Sequence, residues 1–101
     1  IRRPSVPDYG SPNGHIYHFT TESENVRNRL LVYLRERGIE AVFHYIPLHS
    51  SPAGLKYGRA VGELSVTDRV SSTLIRLPIY PGLTTSTLKY IVSSIFEFFA
   101  K

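Results

Sequence analysis

Two histidines, a tyrosine and two serines crowd the stretch His44-Tyr45-Ile46-Pro47-Leu48-His49-Ser50-Ser51-Pro52-Ala53-Gly54. Imidazoles donate, accept or carry protons near neutral pH, and hydroxyls add further hydrogen bonds, so these types suit ligand binding or proton transfer. The stretch leaves an apolar run that reads as a strand, and Pro47, with no backbone N–H, ends regular pairing there. Polar side chains at the end of a strand are where sites are commonly built.

Several chemistries are disfavoured by spacing. His15 and His18 fall on opposite faces of a strand, and no Asp, Glu or Cys completes a ligand set around His44 and His49, which argues against zinc. Ser50 and Ser51 neighbour His49, yet no G-x-S-x-G elbow is present, and hydrolase triads rarely come from sequence neighbours. Neither a P-loop nor G-x-G-x-x-G occurs. Tyr17, Phe19, Phe43, Phe96 and Phe99 recur at structural periods, which fits packing better than base stacking. Ordinary structural roles also exist for the site residues. His44 could be a half-buried strand histidine bonded to a carbonyl, Tyr45 a sheet aromatic with its hydroxyl at the rim, and His49 a solvated loop residue, with Lys56 and Arg59 in the exposed loop beyond.

The elements that must position these groups follow from the order of the chain. Residues 1–14 hold three of the seven prolines and two of the seven glycines without periodicity, and read as an extended linker or arm. The remainder, 15–101, reads as one domain. Asn13-Gly14 turns into a first strand over His15–Thr20, with His15, Tyr17 and Phe19 on one face and Ile16 and His18 on the other. Thr21-Glu22-Ser23-Glu24 matches a capping box. A helix follows to about Arg37, with Val26, Leu30, Leu31 and Leu34 on its apolar face and Arg27, Asn28, Arg35 and Glu36 mostly away from it. Gly38 stops it and Ile39 folds back.

Ala41–Ile46 is expected as a second strand, whose alternation sends His44 and Tyr45 in opposite directions unless the Pro47 turn twists them together. Residues 50–64 read as a looser loop, with a possible short helix at Ser51-Pro52. Ser65-Val66-Thr67-Asp68 resembles a second capping box, and Leu74–Ile79 a third strand closed by Pro78 or by Tyr80-Pro81-Gly82. Thr84 caps a last helix with a stripe of Leu88, Ile91, Val92, Ile95, Phe96 and Phe99. The fold class is therefore α+β: a small three-stranded sheet covered by about three helices.

Composition agrees with a small globular domain. At 101 residues the chain suffices for one domain and one modest core, burying roughly 65% of its unfolded surface. With hydrophobic residues at 42% and charged residues at 20%, it is neither disordered nor membrane-spanning. The absence of cysteine excludes disulfides and thiolate metal sites and leans towards the cytoplasm. The formal charge is +4, carried mostly by nine arginines spread from Arg2 to Arg76, which read as solvated faces or as partners for a phosphate-bearing small molecule. A start at Ile1 rather than methionine suggests an excised portion of something longer.

The run from Arg35 to Gly54, followed by Leu74-Ile75-Arg76-Leu77-Pro78-Ile79-Tyr80 and Gly82-Leu83-Thr84, resembles the C-terminal end of the DegT-type nucleotide-sugar aminotransferases. Its Phe-His-Tyr-Ile-Pro-Leu-His-x-x-Pro-Ala-Gly form is most similar to the TDP-4-keto-6-deoxy-D-glucose transaminases of lipopolysaccharide and enterobacterial common antigen assembly. The Arg2-Arg3-Pro4 arm and the Asn13–Tyr17 turn also fit, so the resemblance covers essentially the whole chain.

The resemblance implies the small C-terminal domain of a pyridoxal phosphate enzyme of the aspartate aminotransferase-like architecture. The intact enzyme would be a homodimer that moves an amino group from glutamate to the keto sugar. Pyridoxal phosphate chemistry needs a Schiff-base lysine, and Lys56, Lys89 and Lys101 do not stand where the family places it. The chain alone is thus expected to be inactive and to bind no cofactor. By the same resemblance His44, Tyr45 and His49 are substrate-binding, with hydrogen bonds to sugar hydroxyl or pyrophosphate oxygens. Apart from its large domain, the chain should expose apolar surface. The rival is a free-standing basic module for nucleic acid or another polyanion, favoured by the charge and opposed by the lack of a clustered patch.

Overall fold

The alternation of strand and helix is realised in a computed structural model that describes residues 1–101. Strand β1 (Tyr17–Thr20) and strand β2 (Leu74–Leu77) pair antiparallel, with Phe19 opposite Ile75 and His18 opposite Arg76. Between them in sequence lie α1 (Glu24–Glu36), a short 3-10 helix (Leu48–Ser50), α2 (Pro52–Tyr57) and α3 (Ser65–Thr73). Helix α4 (Thr85–Ala100) closes the chain. No helix is long and apolar enough to cross a membrane.

One face of this ribbon makes the core. Phe19 and Ile75 meet Leu30 and Leu34 of α1, Ile91 and Ile95 of α4, and Ile39 and Ala41 from the segment after α1. Because side chains alternate along a strand, His18 and Arg76 are carried on the opposite face. That face is the one that matters for the site.

The α1 ends are built as their chemistry requires, with one shift. Ser23, not Thr21, is the N-cap, its hydroxyl accepting from the Val26 N–H at 3.3 Å. The Thr21 hydroxyl instead donates to the Thr73 carbonyl at 3.2 Å, tying the start of α1 to the end of α3. At the other end Gly38 takes a φ of 71°, its N–H reaching Arg35 O and the Ile39 N–H reaching Leu34 O. That pair of bonds is a Schellman stop, and it returns Ile39 to the core. Arg27, expected on the solvent side, is buried: it pairs with Glu24 at 3.3 Å and lies 5.5 Å from the centre of the Phe43 ring.

The expected second strand, Ala41–Ile46, shrinks to a single rung. Val42 and Arg76 exchange both backbone bonds, at 3.1 and 2.7 Å, and regular pairing stops there. In an antiparallel register the next bonded pairs would join residue 40 to 78 and residue 44 to 74. Pro78 has no N–H, and the Leu74 N–H is already spent on Val70 O at the end of α3. With both flanking donors missing, Ala41–Ile46 forms a bridge rather than a strand. Arg2 makes a similar isolated bridge to Thr20 on the other edge, while residues 1–14 are exposed.

Four helices form instead of about three. Ser51 caps α2, accepting from the Gly54 N–H at 3.0 Å, with Pro52 at the first helical position. The second capping box does not form, because α3 begins at Ser65 itself and Leu64 caps it without a side-chain bond. In α4, Thr84 caps as expected, accepting from the Thr87 N–H at 3.1 Å. Only Ile91 and Ile95 of its expected stripe are buried; Leu88, Val92, Phe96 and Phe99 face outward, and Phe98 packs edge-on against Tyr33 instead. The radius of gyration is 15.7 Å, against about 13 Å for a compact domain of this length. The molecule is an open one, with a core on one side and much of its apolar surface uncovered.

Candidate functional site

The outward face of the ribbon gathers what the sequence left scattered. His15, His18, His44 and Arg76, with Asn13 and Leu74, line a shallow cavity of about 340 Å³. His18 and Arg76 come from the paired strands, and His44 arrives two residues beyond the Val42 rung. His15 and His18, assigned to opposite faces, share this cavity because β1 starts only at Tyr17. His15 belongs to the turn before it, where its N–H donates to Asn13 Oδ1 at 3.1 Å and Gly14 takes a φ of 66°.

Arg76 is central to this arrangement and was not singled out by its sequence. Its Nε is buried without a hydrogen-bond partner. It also borders, with His15, a larger cavity of about 620 Å³ walled by Ile39, Ile79, Tyr80 and Tyr90. An arginine lining a cavity with three histidines is a setting that suits an anionic or hydroxyl-bearing ligand. No group of three or more His, Asp or Glu is arranged to hold a single metal ion.

His44 stands at a boundary. Tyr45, Ile46 and Pro47 with Val66 and Val70 of α3 line a third, open and more apolar cavity of about 450 Å³, which His44 also borders. The His44 and Tyr45 rings are in edge contact, 5.1 Å between centroids at 66°. The opposed directions expected of strand neighbours are not found, because the strand itself is not formed. His44 is half-buried, whereas Tyr45 is 77% exposed.

His49 is set apart from the other three histidines. The segment from Pro47 to Gly58 folds into a double turn, in which the Pro47 and Leu48 carbonyls accept from the Ser50 and Ser51 hydroxyls and amides. Out of this turn His49 extends its Nε2 to Asp68 Oδ1 on α3, at 2.8 Å. An ionised carboxylate only accepts, so the proton of that bond sits on His49 Nε2. Among the three site residues the sequence named, the structure joins His44 to Tyr45 and pairs His49 elsewhere.

Comparison with known proteins decides what kind of domain carries this face. The sequence pattern of the DegT/DnrJ/EryC1/StrS aminotransferase family matches residues 6–96. The chain belongs to that family. Across 86 residues it is 30% identical to the "Pleiotropic regulatory protein" of Geobacillus stearothermophilus, covering 84% of this chain and 23% of that protein. Across 47 residues it is 53% identical to "Lipopolysaccharide biosynthesis protein RfbH" of Salmonella typhimurium, covering 46% of this chain and 10% of that protein. The crystal structure of a DegT DnrJ EryC1 StrS aminotransferase from Brucella abortus superposes with a TM-score of 0.85 at 29% identity, covering 99% of this chain and 26% of that one. The chain thus spans about a quarter or less of the length of these relatives. Its fold is that of the matching portion of a DegT-family aminotransferase, an α+β unit with a two-stranded sheet and four helices.

Proposed function

We propose that this chain is the small C-terminal domain, residues 15–101 with a linking arm over 1–14, of a cytoplasmic, pyridoxal phosphate-dependent sugar aminotransferase. The complete enzyme works as a homodimer and transfers the amino group of glutamate to a TDP-4-keto-6-deoxyhexose for lipopolysaccharide assembly. The chain supplies one wall of the sugar-nucleotide cleft. The observation that carries this reading is the position of His44, between a cavity lined by Arg76 and two further histidines and a more apolar one beside Tyr45. A nucleotide sugar has the matching division: a pyrophosphate and hydroxyls that need donors, and a base and deoxysugar with apolar faces.

The residues of this chain do not fit a seat for pyridoxal phosphate. When bound, that group forms a Schiff base with a lysine and acts as an electron sink. Lys56 leans over the Tyr57 ring at 5.0 Å and Lys101 over Tyr33 at 5.5 Å, while Lys89 is exposed on α4. None of them lines the cavities that hold the histidines. On this reading the cofactor lysine belongs to the large domain, and the chain by itself is expected to have no turnover.

The basic-module alternative is weakened by where the cations go. Arg27, Arg29 and Arg37 face Phe43, Phe98 and Tyr33, so they are engaged within the molecule rather than arrayed as a patch. The test of the site is His44→Ala in the complete enzyme. Its KM for the sugar nucleotide should rise about tenfold, the loss of one charge-assisted bond. Unchanged kinetics would make His44 a structural residue only.

A further inference from the structure

Between Phe43 and Glu63 the chain makes a single hydrogen bond to the rest of the molecule, the one from His49 Nε2 to Asp68 Oδ1. All other hydrogen bonds of this 21-residue excursion are internal to it. The double turn at its heart is stiff. Ser51 Oγ donates to Leu48 O and accepts from Gly54 N–H, and a Cβ at Gly54 would fall on the Leu48 carbonyl oxygen. Apolar contacts with α3 let such a body slide, whereas a single hydrogen bond to α3 fixes its orientation.

We infer that Asp68 is a positioning residue for the site: by accepting the Nε2 proton of His49 it anchors the Pro47–Gly58 turn to α3 and sets the direction of Tyr45 and of the His49 ring. The anchor suits the purpose. The bond is short, at 2.8 Å, and the His49 side chain is 20% exposed while that of Asp68 is 57% exposed. Asp68 is free for it, because the capping box it could have completed with Ser65 is not made. With Nε2 engaged, Nδ1 is the atom His49 offers a ligand. Arg27 adds a weaker hold at the other end, its guanidinium over the Phe43 ring just before His44.

The functional half of this inference rests on the sugar-nucleotide reading; the anchoring half does not. Two measurements separate them. Long-range proton–nitrogen NMR of the histidine-labelled 101-residue chain should report His49 with its proton on Nε2. In Asp68→Ala that signature should be lost and amide exchange over residues 43–63 accelerated, with His15 and His18 unmoved, and Asp68→Asn should fall between. A His49 spectrum and exchange pattern indifferent to both substitutions would overturn the anchor.

In the complete enzyme, His49→Ala and Asp68→Ala should each raise KM for the sugar nucleotide about threefold to tenfold. The value of kcat should hold, and the double variant should be no worse than the poorer single one. Multiplying effects would mean that the two residues act independently, and would sink the positioning role. If neither substitution moves KM, the sugar-site role of His49 falls, while the anchor stands on the NMR result.

Discussion

At Gly54 a single methyl group has nowhere to go, because it would meet the carbonyl oxygen of Leu48. The sequence marks this glycine as loop punctuation; only the structure reveals it as the place where α2 closes onto the 3-10 helix. Gly54→Ala should loosen the turn by about 1–3 kcal/mol. The expected outcome is faster amide exchange at Ser51, Leu55 and Gly58, with unchanged exchange at Leu30 and Leu34, since the excursion is joined to the core by so little. Equal protection in both proteins would refute the close packing. Other residues divide along the same line. His44, Tyr45 and His49 stand out by type and spacing, but Arg76 and His18 become neighbours only once the register of β1 on β2 is known. Nothing in a strand sequence announces its partner's register, and Asp68 reads as a capping residue until His49 is seen to claim it.

The elements themselves were largely legible. The periodicity of α1, apart from the buried Arg27, its Gly38 stop and the Thr84 cap of α4 are local matters of backbone donors and side-chain spacing, and each stands as the sequence implies. The strand over Ala41–Ile46 was not, because its fate depends on donors elsewhere: Pro78 has none and Leu74 has given its own to α3. Burial on α4 also depends on residues distant in sequence. Its apolar stripe is real, but only the side carrying Ile91 and Ile95 meets α1 and the ribbon. The weight of the fold rests on that contact, so Leu34→Ala, which empties a fully buried position, should cost about 2–5 kcal/mol in urea unfolding. Val32→Ala, on the exposed side of the same helix, should stay within about 0.5 kcal/mol. Similar losses at the two positions would contradict the assigned core.

At the scale of the whole molecule, the core lies on one side and much apolar surface, including Phe96, Phe99 and Ile46, is uncovered, which is what the proposed place beside a large domain requires. Family membership follows from a match over residues 6–96, and the relatives are about four times as long or more. The α+β class could be read from strand–helix alternation, whereas the looseness of the molecule could not. Sequence periodicity says which faces are apolar and is silent on which of them a neighbour covers. The proposed sugar aminotransferase activity is tested by amino transfer with the complete protein, supplied with pyridoxal phosphate, glutamate and TDP-4-keto-6-deoxyglucose. A TDP-amino sugar should form in step with 2-oxoglutarate, and none should form with the 101-residue chain alone. Failure of the complete protein to aminate that sugar would contradict the proposed activity.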